Sequence, residues 1–254
     1  MADEVLVERR NGVQVITINR PEAKNALNKA VAEGIAAAVD ELDSDDDLRV
    51  GVLTGAGGAF SAGMDLKGFL RGESPAIEGR GLCGITQTPP RKPLIGAVEG
   101  WALAGGFELL LACDLVVAAE TARFGVPEVK RSLVAGAGAA LLLPRRVPFA
   151  LALELLLTGD PLPAPRAAEI GLVNRLTPEG GALAGALELA AVLAENGPLA
   201  VAATKAIARG SSDWTWEEGW KQQAELMAPV FGSDDAREGA TAFAEKRTPV
   251  WKGR

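Results

Sequence analysis

Pro93-Leu-Ile-Gly-Ala-Val-Glu-Gly-Trp-Ala-Leu-Ala-Gly-Gly-Phe-Glu-Leu-Leu-Leu-Ala-Cys-Asp-Leu-Val-Val-Ala118 is the stretch that decides how this chain folds. The apolar run Pro93–Val98 reads as a buried strand. Gly105-Gly106 opens a turn, a helix runs from about Gly106, and Leu115–Ala118 returns as a strand. Strand, glycine loop, helix and strand make up the unit of a largely parallel sheet with helical crossovers. Ligands of such sheets gather at the carboxyl ends of strands, so the glycine loop is where chemistry is expected.

The same grammar extends outward. Val50-Gly-Val-Leu-Thr54 is a strand that runs into a second glycine loop. Val5-Leu-Val-Glu-Arg9 and Val13-Gln-Val-Ile-Thr-Ile-Asn19 flank Asn11-Gly12, a hairpin signal. Asn28 to Asp43 reads as a helix, with Val31, Ile35, Val39 and Leu42 on one face. Asp43-Ser-Asp-Asp-Asp47 reads as a solvated loop. After about residue 135 the pattern predicts helices over Ala137–Leu143, Phe149–Leu157, Leu183–Glu195, Leu199–Arg209, Asp213–Met227 and Asp234–Glu245. Leu172-Val-Asn-Arg-Leu176 is the one strand-like segment there. Asn196-Gly197-Pro198 marks a boundary between a core, 1–196, and a helical region, 197–254.

Composition removes several classes of function. The 254 residues suffice for one large α/β domain or two small ones. A net charge of -7 with no dense Lys/Arg run offers no basic face to nucleic acid. There is no histidine, and Cys83 and Cys113 stand apart, so neither the usual zinc sets nor a disulfide framework is expected. The acidic N-terminus does not read as a signal peptide. The longest uncharged run, Val50–Met64, is too short to span a membrane. A cytoplasmic chain with no membrane or nucleic-acid partner is the expectation.

Two glutamates, Glu108 and Glu128, lie in runs made mostly of glycine and apolar residues. A carboxylate in apolar surroundings must be paired, hydrogen-bonded or protonated. On a chain without histidine, two such groups suggest acid–base work done by carboxylates alone. Taken singly, Glu108 also reads as a helix-face residue and Glu128 as an exposed turn residue. The loop Thr54-Gly-Ala-Gly-Gly-Ala-Phe-Ser-Ala-Gly-Met-Asp-Leu-Lys67 is not a dinucleotide fingerprint, because Phe60 occupies the third glycine position. It is not a phosphate loop either, since no Gly-Lys-Ser/Thr follows. It reads as a flexible strand-to-helix turn that exposes backbone N–H groups, which bind anions. Two glycine loops, each donating one N–H, would make an oxyanion hole.

Phe60-Ser-Ala-Gly-Met-Asp-Leu66, Trp101-Ala-Leu-Ala-Gly-Gly-Phe-Glu108 with Ala112-Cys-Asp114, and Phe124-Gly-Val-Pro-Glu128 closely resemble the enoyl-CoA hydratase (crotonase) superfamily. The likeness begins at Asn19-Arg-Pro-Glu-Ala-Lys-Asn-Ala-Leu27. It continues through Leu157-Thr-Gly-Asp160 and Ala168-Glu-Ile-Gly-Leu-Val173 to Phe243-Ala-Glu-Lys-Arg-Thr-Pro249. The resemblance implies an α/β spiral of repeated β-β-α units with a helical C-terminal trimerisation region. It implies a homotrimer, or a hexamer built as a dimer of trimers. It also implies a coenzyme A thioester substrate, no separate cofactor, no metal, and fatty-acid β-oxidation as a setting. Met64 and Gly105 match the backbone donors to the thioester oxygen. Ala23, Lys24, Ala62, Leu66 and Lys67 match positions along the CoA path. Lys246 and Arg247 match positions that reach a neighbouring subunit's phosphates, and Asp65 and Asp114 are structural.

Both glutamate positions of the family's hydratases are filled, whereas many isomerases keep one. The implied reaction is syn addition of water to a trans-2-enoyl-CoA, giving a 3-hydroxyacyl-CoA. Glu108 lies in the first turn of its helix, whose dipole favours the ionised base. Burial would raise Glu128 and make it the proton donor, with the two titrating as a coupled pair. Two features depart from the family pattern. Ala104 stands where many members have a third glycine, and Lys130-Arg131 follows Glu128 where fatty-acyl hydratases carry apolar or small residues. The second departure points to polar or branched acyl groups. Trp101, Phe107, Trp214, Trp216 and Trp220 read as core or interface residues more than as an acyl pocket. The competing readings are an enoyl-CoA isomerase, a dehydratase of a specialised acyl-CoA, and a non-catalytic acyl-CoA-binding protein. A binder has no need of two costly carboxylates.

Overall fold

The computed structural model describes residues 3–254. Strand β1 (Val5–Arg10) pairs antiparallel with β2 (Val13–Ile18) across the Asn11-Gly12 turn. Both turn residues have positive φ, 49° and 77°, as a two-residue hairpin of this twist requires. Next come helix α1 (Lys29–Ser44), strand β3 (Val50–Gly55), the short helix α2 (Leu66–Leu70) and the small hairpin β4 (Ala76–Ile77) and β5 (Gly81–Leu82). Strand β6 (Leu94–Val98), helix α3 (Gly105–Ala112) and strand β8 (Leu115–Ala119) form the unit that the opening stretch predicted, with an unpredicted strand β7 (Trp101–Leu103) inside its glycine loop. Strand β9 (Arg123–Gly125) leads into a 3-10 turn, Pro127–Arg131. Helices α4 (Ala139–Arg146) and α5 (Phe149–Thr158), strand β10 (Leu162–Pro163), helix α6 (Ala164–Glu169) and strand β11 (Arg175–Thr177) complete the core with helix α7 (Ala182–Ala194).

The main sheet has the order β1-β2-β3-β6-β8-β11, parallel from β2 onward. Its inner strands are apolar on both sides because helices cover both faces. Side chains alternate with the pleat. Val13, Val15, Val50, Val52, Ile95, Ala97 and Val117 pack with Ala186 and Ala190 of α7. Ile16, Ile18, Leu53, Leu94, Val98, Val116 and Ala118 share the opposite core with α1 and α3. Helix α3 lies very close to the sheet. A Cβ at Gly96 would stand 2.2 Å from Leu110 Cδ1, so glycine is what lets the helix settle there. Asn28 caps α1 by accepting the Val31 N–H at 2.9 Å, and Val31, Ile35, Val39 and Leu42 are buried as their spacing predicts.

A second sheet has the order β7-β9-β10, and its strands β7 and β9 lead into α3 and into the turn that bears Glu128. Sequence reading misses all three of its strands. Each has only two or three residues, too few to show a period. It also misses α2 and α6, and it starts α4 two residues early, at Ala137 rather than Ala139. The strand read at Leu172–Leu176 forms instead at Arg175–Thr177.

Helices α8 (Pro198–Gly210), α9 (Trp216–Phe231) and α10 (Asp234–Glu245) close the chain. Thr215 and Glu218 form a reciprocal capping box at α9, and Ser233 caps α10. Few of their side chains are buried, and Trp216, Trp220, Phe231 and Phe243 are exposed. Among the described residues, no single helix is long and apolar enough to cross a membrane.

Candidate active site

The first glycine loop is almost completely tied down. Phe60 N–H donates to the Glu99 carbonyl (2.9 Å), Ser61 N–H to Trp101 (3.0 Å) and Ala62 N–H to Lys24 (3.0 Å). Gly63 N–H donates to Ser61 Oγ (3.1 Å) and Asp65 N–H to the Leu27 carbonyl (2.9 Å). Among the described residues the Met64 N–H has no acceptor. The expectation of a flexible turn is therefore corrected: five neighbouring amides are engaged, and the sixth is held open by them.

The second loop repeats this logic. Leu103 N–H donates to the Ser61 carbonyl (3.0 Å) and Ala104 N–H to Gly125 (2.8 Å). The Ala104 carbonyl accepts from Phe107 and Glu108. Gly105 is the first residue of α3, so its N–H has no intrahelical acceptor. The two open amides are neighbours, since a Cβ built on Gly105 would lie 3.6 Å from Met64 N. A side chain at Gly106 would strike the Ser61 carbonyl oxygen at 2.5 Å, so only glycine lets the loops meet. Ala104, between them, has φ 51° and ψ −129°, a conformation that its Cβ disfavours.

Glu108 is 3% exposed. Its Oε1 accepts the Ala137 N–H at 2.7 Å and the Ala139 N–H at 3.1 Å. Ala139 is the first residue of α4, so the carboxylate sits at the amino end of a helix other than its own. Burial pushes the Glu108 pKa up, and the amides of Ala139, Ala137 and Gly138 pull it partly back. Glu108 does lie in the first turn of α3, as its spacing predicts, and its anion is further supported by amides from a different helix. The supporting amides escape sequence reading, which places Ala137 inside a helix. The alternation Ala135-Gly-Ala-Gly-Ala139 ahead of an apolar run is the signal that was available.

Glu128 stands in the Pro127–Arg131 turn and is half-buried. Burial pushes its pKa up, its own backbone N–H lowers it, the charge on Glu108 raises it, and Arg131 lowers it. Its Oε2 is buried without a hydrogen-bond partner. An unsolvated, undonated carboxyl oxygen favours the protonated acid. The structure thus places the two carboxyls within electrostatic reach of each other. One is held by two amides and the other by none through its inner oxygen.

The remaining expected residues fall into three groups. Ala23 ends the 3-10 turn Pro21–Ala23, Lys24 follows in a left-handed conformation, and Ala62 donates to Lys24. Leu66 and Lys67 open α2, whose N-cap Asp65 accepts from Lys67 and Gly68. These five residues therefore share one bracket with Met64. Asp114 accepts from Leu94 N–H (2.8 Å), Lys205 Nζ (2.6 Å) and Arg209 Nη1 (2.7 Å), a structural clasp. Arg247 pairs with Glu238 and Glu245 within the same chain. Lys246 caps α10 in a left-handed conformation. Phe107 is core, packed on Phe124, whereas Trp101 is exposed on the outer face of β7. Cys83 and Cys113 are buried with thiols pushed up to about 12, which removes a cysteine nucleophile.

The enoyl-CoA hydratase/isomerase family model matches residues 8–254. The chain is 43% identical to enoyl-CoA hydratase EchA19 of Mycobacterium tuberculosis, over 99% of this chain and 97% of that protein. It is 40% identical to carnitinyl-CoA dehydratase of Salmonella typhi over the whole of both. The crystal structure of enoyl-CoA hydratase EchA1 from Mycobacterium marinum superposes with a TM-score of 0.97 at 58% identity, covering 99% of this chain and 100% of that one. Sequence, fold and length therefore agree, and the chain belongs to the enoyl-CoA hydratase/isomerase family, with the crotonase fold.

Proposed function

We infer that the protein is an enoyl-CoA hydratase that adds water syn across a trans-2-enoyl-CoA. The observation that carries this reading is a pair of buried or half-buried glutamates, with Glu108 one helical turn from the open amide at Gly105 and Glu128 keeping a buried oxygen without a donor. The Met64 and Gly105 N–H groups would polarise the thioester carbonyl and make the β-carbon electrophilic. Glu108, steadied by two amides, takes a proton from water as its oxygen bonds to the β-carbon. Negative charge then rests on the thioester oxygen. Glu128, protonated in its buried setting, delivers its proton to the α-carbon. Proton transfer from Glu108 to Glu128 resets the pair. The two reactants are the thioester and one water molecule.

Ala23, Lys24, Ala62, Leu66 and Lys67 are the proposed CoA path, because they surround the Met64 loop on one side. Residues 197–254 are proposed as a subunit-contact region of a homotrimer or a dimer of trimers, supported by the apolar side chains that α9 and α10 leave exposed. A cytoplasmic setting is proposed from the lack of any long apolar helix among the described residues.

A second reading, dehydration of a 3-hydroxyacyl-CoA with a polar acyl group, has its own support. Arg131 acts electrostatically on Glu128, and relatives at 40% identity are carnitinyl-CoA dehydratases. A panel of enoyl-CoA thioesters of varied length, branching and polarity tests both. Loss of the conjugated thioester absorbance reports hydration, and its absence across the panel would overturn the reading.

A further inference from the structure

Arg20 has no role in the site as described, yet its side chain is only 14% exposed and fully engaged. Nη2 donates to Asp65 Oδ2 at 2.9 Å and Nη1 to the Ala26 carbonyl at 2.6 Å. Nε lies 3.3 Å from Glu4 Oε1. The Arg20 backbone is pinned as well: its N–H donates to Asn25 Oδ1 at 3.0 Å, and its carbonyl accepts the Asn25 N–H at 2.9 Å.

Both strong acceptors of the guanidinium flank the open amide. The Asp65 N–H donates to the Leu27 carbonyl at 2.9 Å, and the Leu27 N–H donates to the Gly63 carbonyl at 2.8 Å. Leu27 therefore brackets Met64 from both sides, and Ala26 immediately precedes Leu27. The guanidinium closes the ring Arg20–Asp65–Leu27–Ala26, with the Met64 N–H at its edge. The other Asp65 oxygen starts α2 by accepting from Lys67 and Gly68 at 3.0 and 3.1 Å. The Asp65 carboxylate thus ties the arginine to the start of α2, one residue after Met64, while the Ala26 carbonyl ties it to the segment whose Leu27 N–H holds the Gly63–Met64 peptide plane.

We propose that Arg20 is a positioning residue for the oxyanion hole, fixing the direction of the Met64 N–H through Asp65 and Ala26. The inference rests on the oxyanion reading of Met64 and Gly105. An oxyanion donor works when its nitrogen lies roughly 2.7–3.1 Å from the oxygen that gains charge. A misplacement of about 1 Å costs on the order of 10²-fold in rate. A guanidinium is suited to the task because its planar fork serves two acceptors in fixed directions, which a lysine ammonium does not reproduce.

A purely structural arginine would lower stability and leave the folded enzyme's chemistry intact. An arginine serving CoA would raise KM at constant kcat. The test uses Arg20→Gln and Arg20→Lys, with Arg145→Gln as a control that breaks an exposed ion pair to Asp213 elsewhere. Cinnamoyl-CoA is the optical probe, because polarising its carbonyl moves its absorption to longer wavelength on binding. Wild type and Arg145→Gln should show the full shift. Arg20→Gln should bind the probe within roughly threefold of wild type but show a smaller shift. Its kcat on an enoyl-CoA should fall roughly 10–10²-fold, below the 10²–10³-fold of a donor lost outright, and Arg20→Lys should recover only part. If Arg20→Gln fails to fold, Asp65→Asn, which keeps an acceptor for α2, should show the same reduced shift. A folded variant with the wild-type shift and kcat, or one with a raised KM alone, overturns the proposal. No shift in wild type overturns the oxyanion reading itself.

Discussion

The charge on Glu108 raises the pKa of Glu128, yet Glu108 Oε1 alone accepts from two amides of a remote segment, Ala137 and Ala139, whereas Glu128 has only its own backbone N–H. Glu128 keeps a buried oxygen with no donor. Two carboxyls that burial alone would push up together are separated in role by the two N–H groups from the start of α4. In the proposed hydration that asymmetry suits Glu108 to the base and Glu128 to the acid.

Glu108→Gln and Glu128→Gln should each lower kcat by at least ~10²-fold, the lower end for a general acid or base. Binding of a saturated acyl-CoA, measured by calorimetry, should change little. Near-wild-type turnover in either variant removes that residue from the mechanism.

Stability should respond to pH in a defined direction. The folded Glu128 holds its proton above its ordinary value of 4.5. Over that window the native state binds more protons than the unfolded chain, so stability falls as pH rises. Glu128→Gln removes this loss. Urea unfolding should find the variant no more stable than wild type below that value and increasingly favoured toward neutrality. A variant that loses stability steadily on the way to neutral pH would contradict the protonated assignment.

Water addition should outpace double-bond migration. With 3-enoyl-CoA and 2-enoyl-CoA offered separately, chromatography should show hydroxyacyl product forming much faster from the 2-enoyl ester. Dominant 3-to-2 isomerisation would favour the isomerase reading instead.

Ala104→Gly tests strain between the loops. At φ 51° and ψ −129° an alanine costs roughly 1–3 kcal/mol, and glycine gives back about 0.5–1 kcal/mol through unfolded-state entropy. A net gain of roughly 1 kcal/mol is expected in denaturant unfolding. A destabilised variant would show that the Ala104 methyl, which packs against Gly63, outweighs the backbone strain.

Gly105→Pro and Met64→Leu separate backbone from side-chain roles. Proline removes the N–H, and loss of one oxyanion donor costs roughly 10²–10³-fold. Met64→Leu keeps the N–H and should retain most activity. Once circular dichroism shows that Gly105→Pro is folded, equal damage in both variants would sink the oxyanion assignment.

The parallel core was legible in sequence because its strands are continuous apolar runs bounded by glycine, and because α1 repeats its buried face at helical spacing. The two glutamates were legible because carboxylates in apolar company are costly. The small sheet was not, since β7, β9 and β10 are held by pairing with distant segments rather than by their own pattern. Nor was the electrostatic partition of the glutamates. Sequence placed Glu108 at the start of its own helix, but its charge is set by burial and by amides 29 and 31 residues away. The same holds for the loops. Glycine runs located the two loops and the family resemblance picked out Met64 and Gly105, while contacts from Lys24, Leu27, Glu99 and Trp101 left the Met64 amide open. Local chemistry is written in order along a chain, but desolvation and unused hydrogen bonds exist only once remote segments have packed.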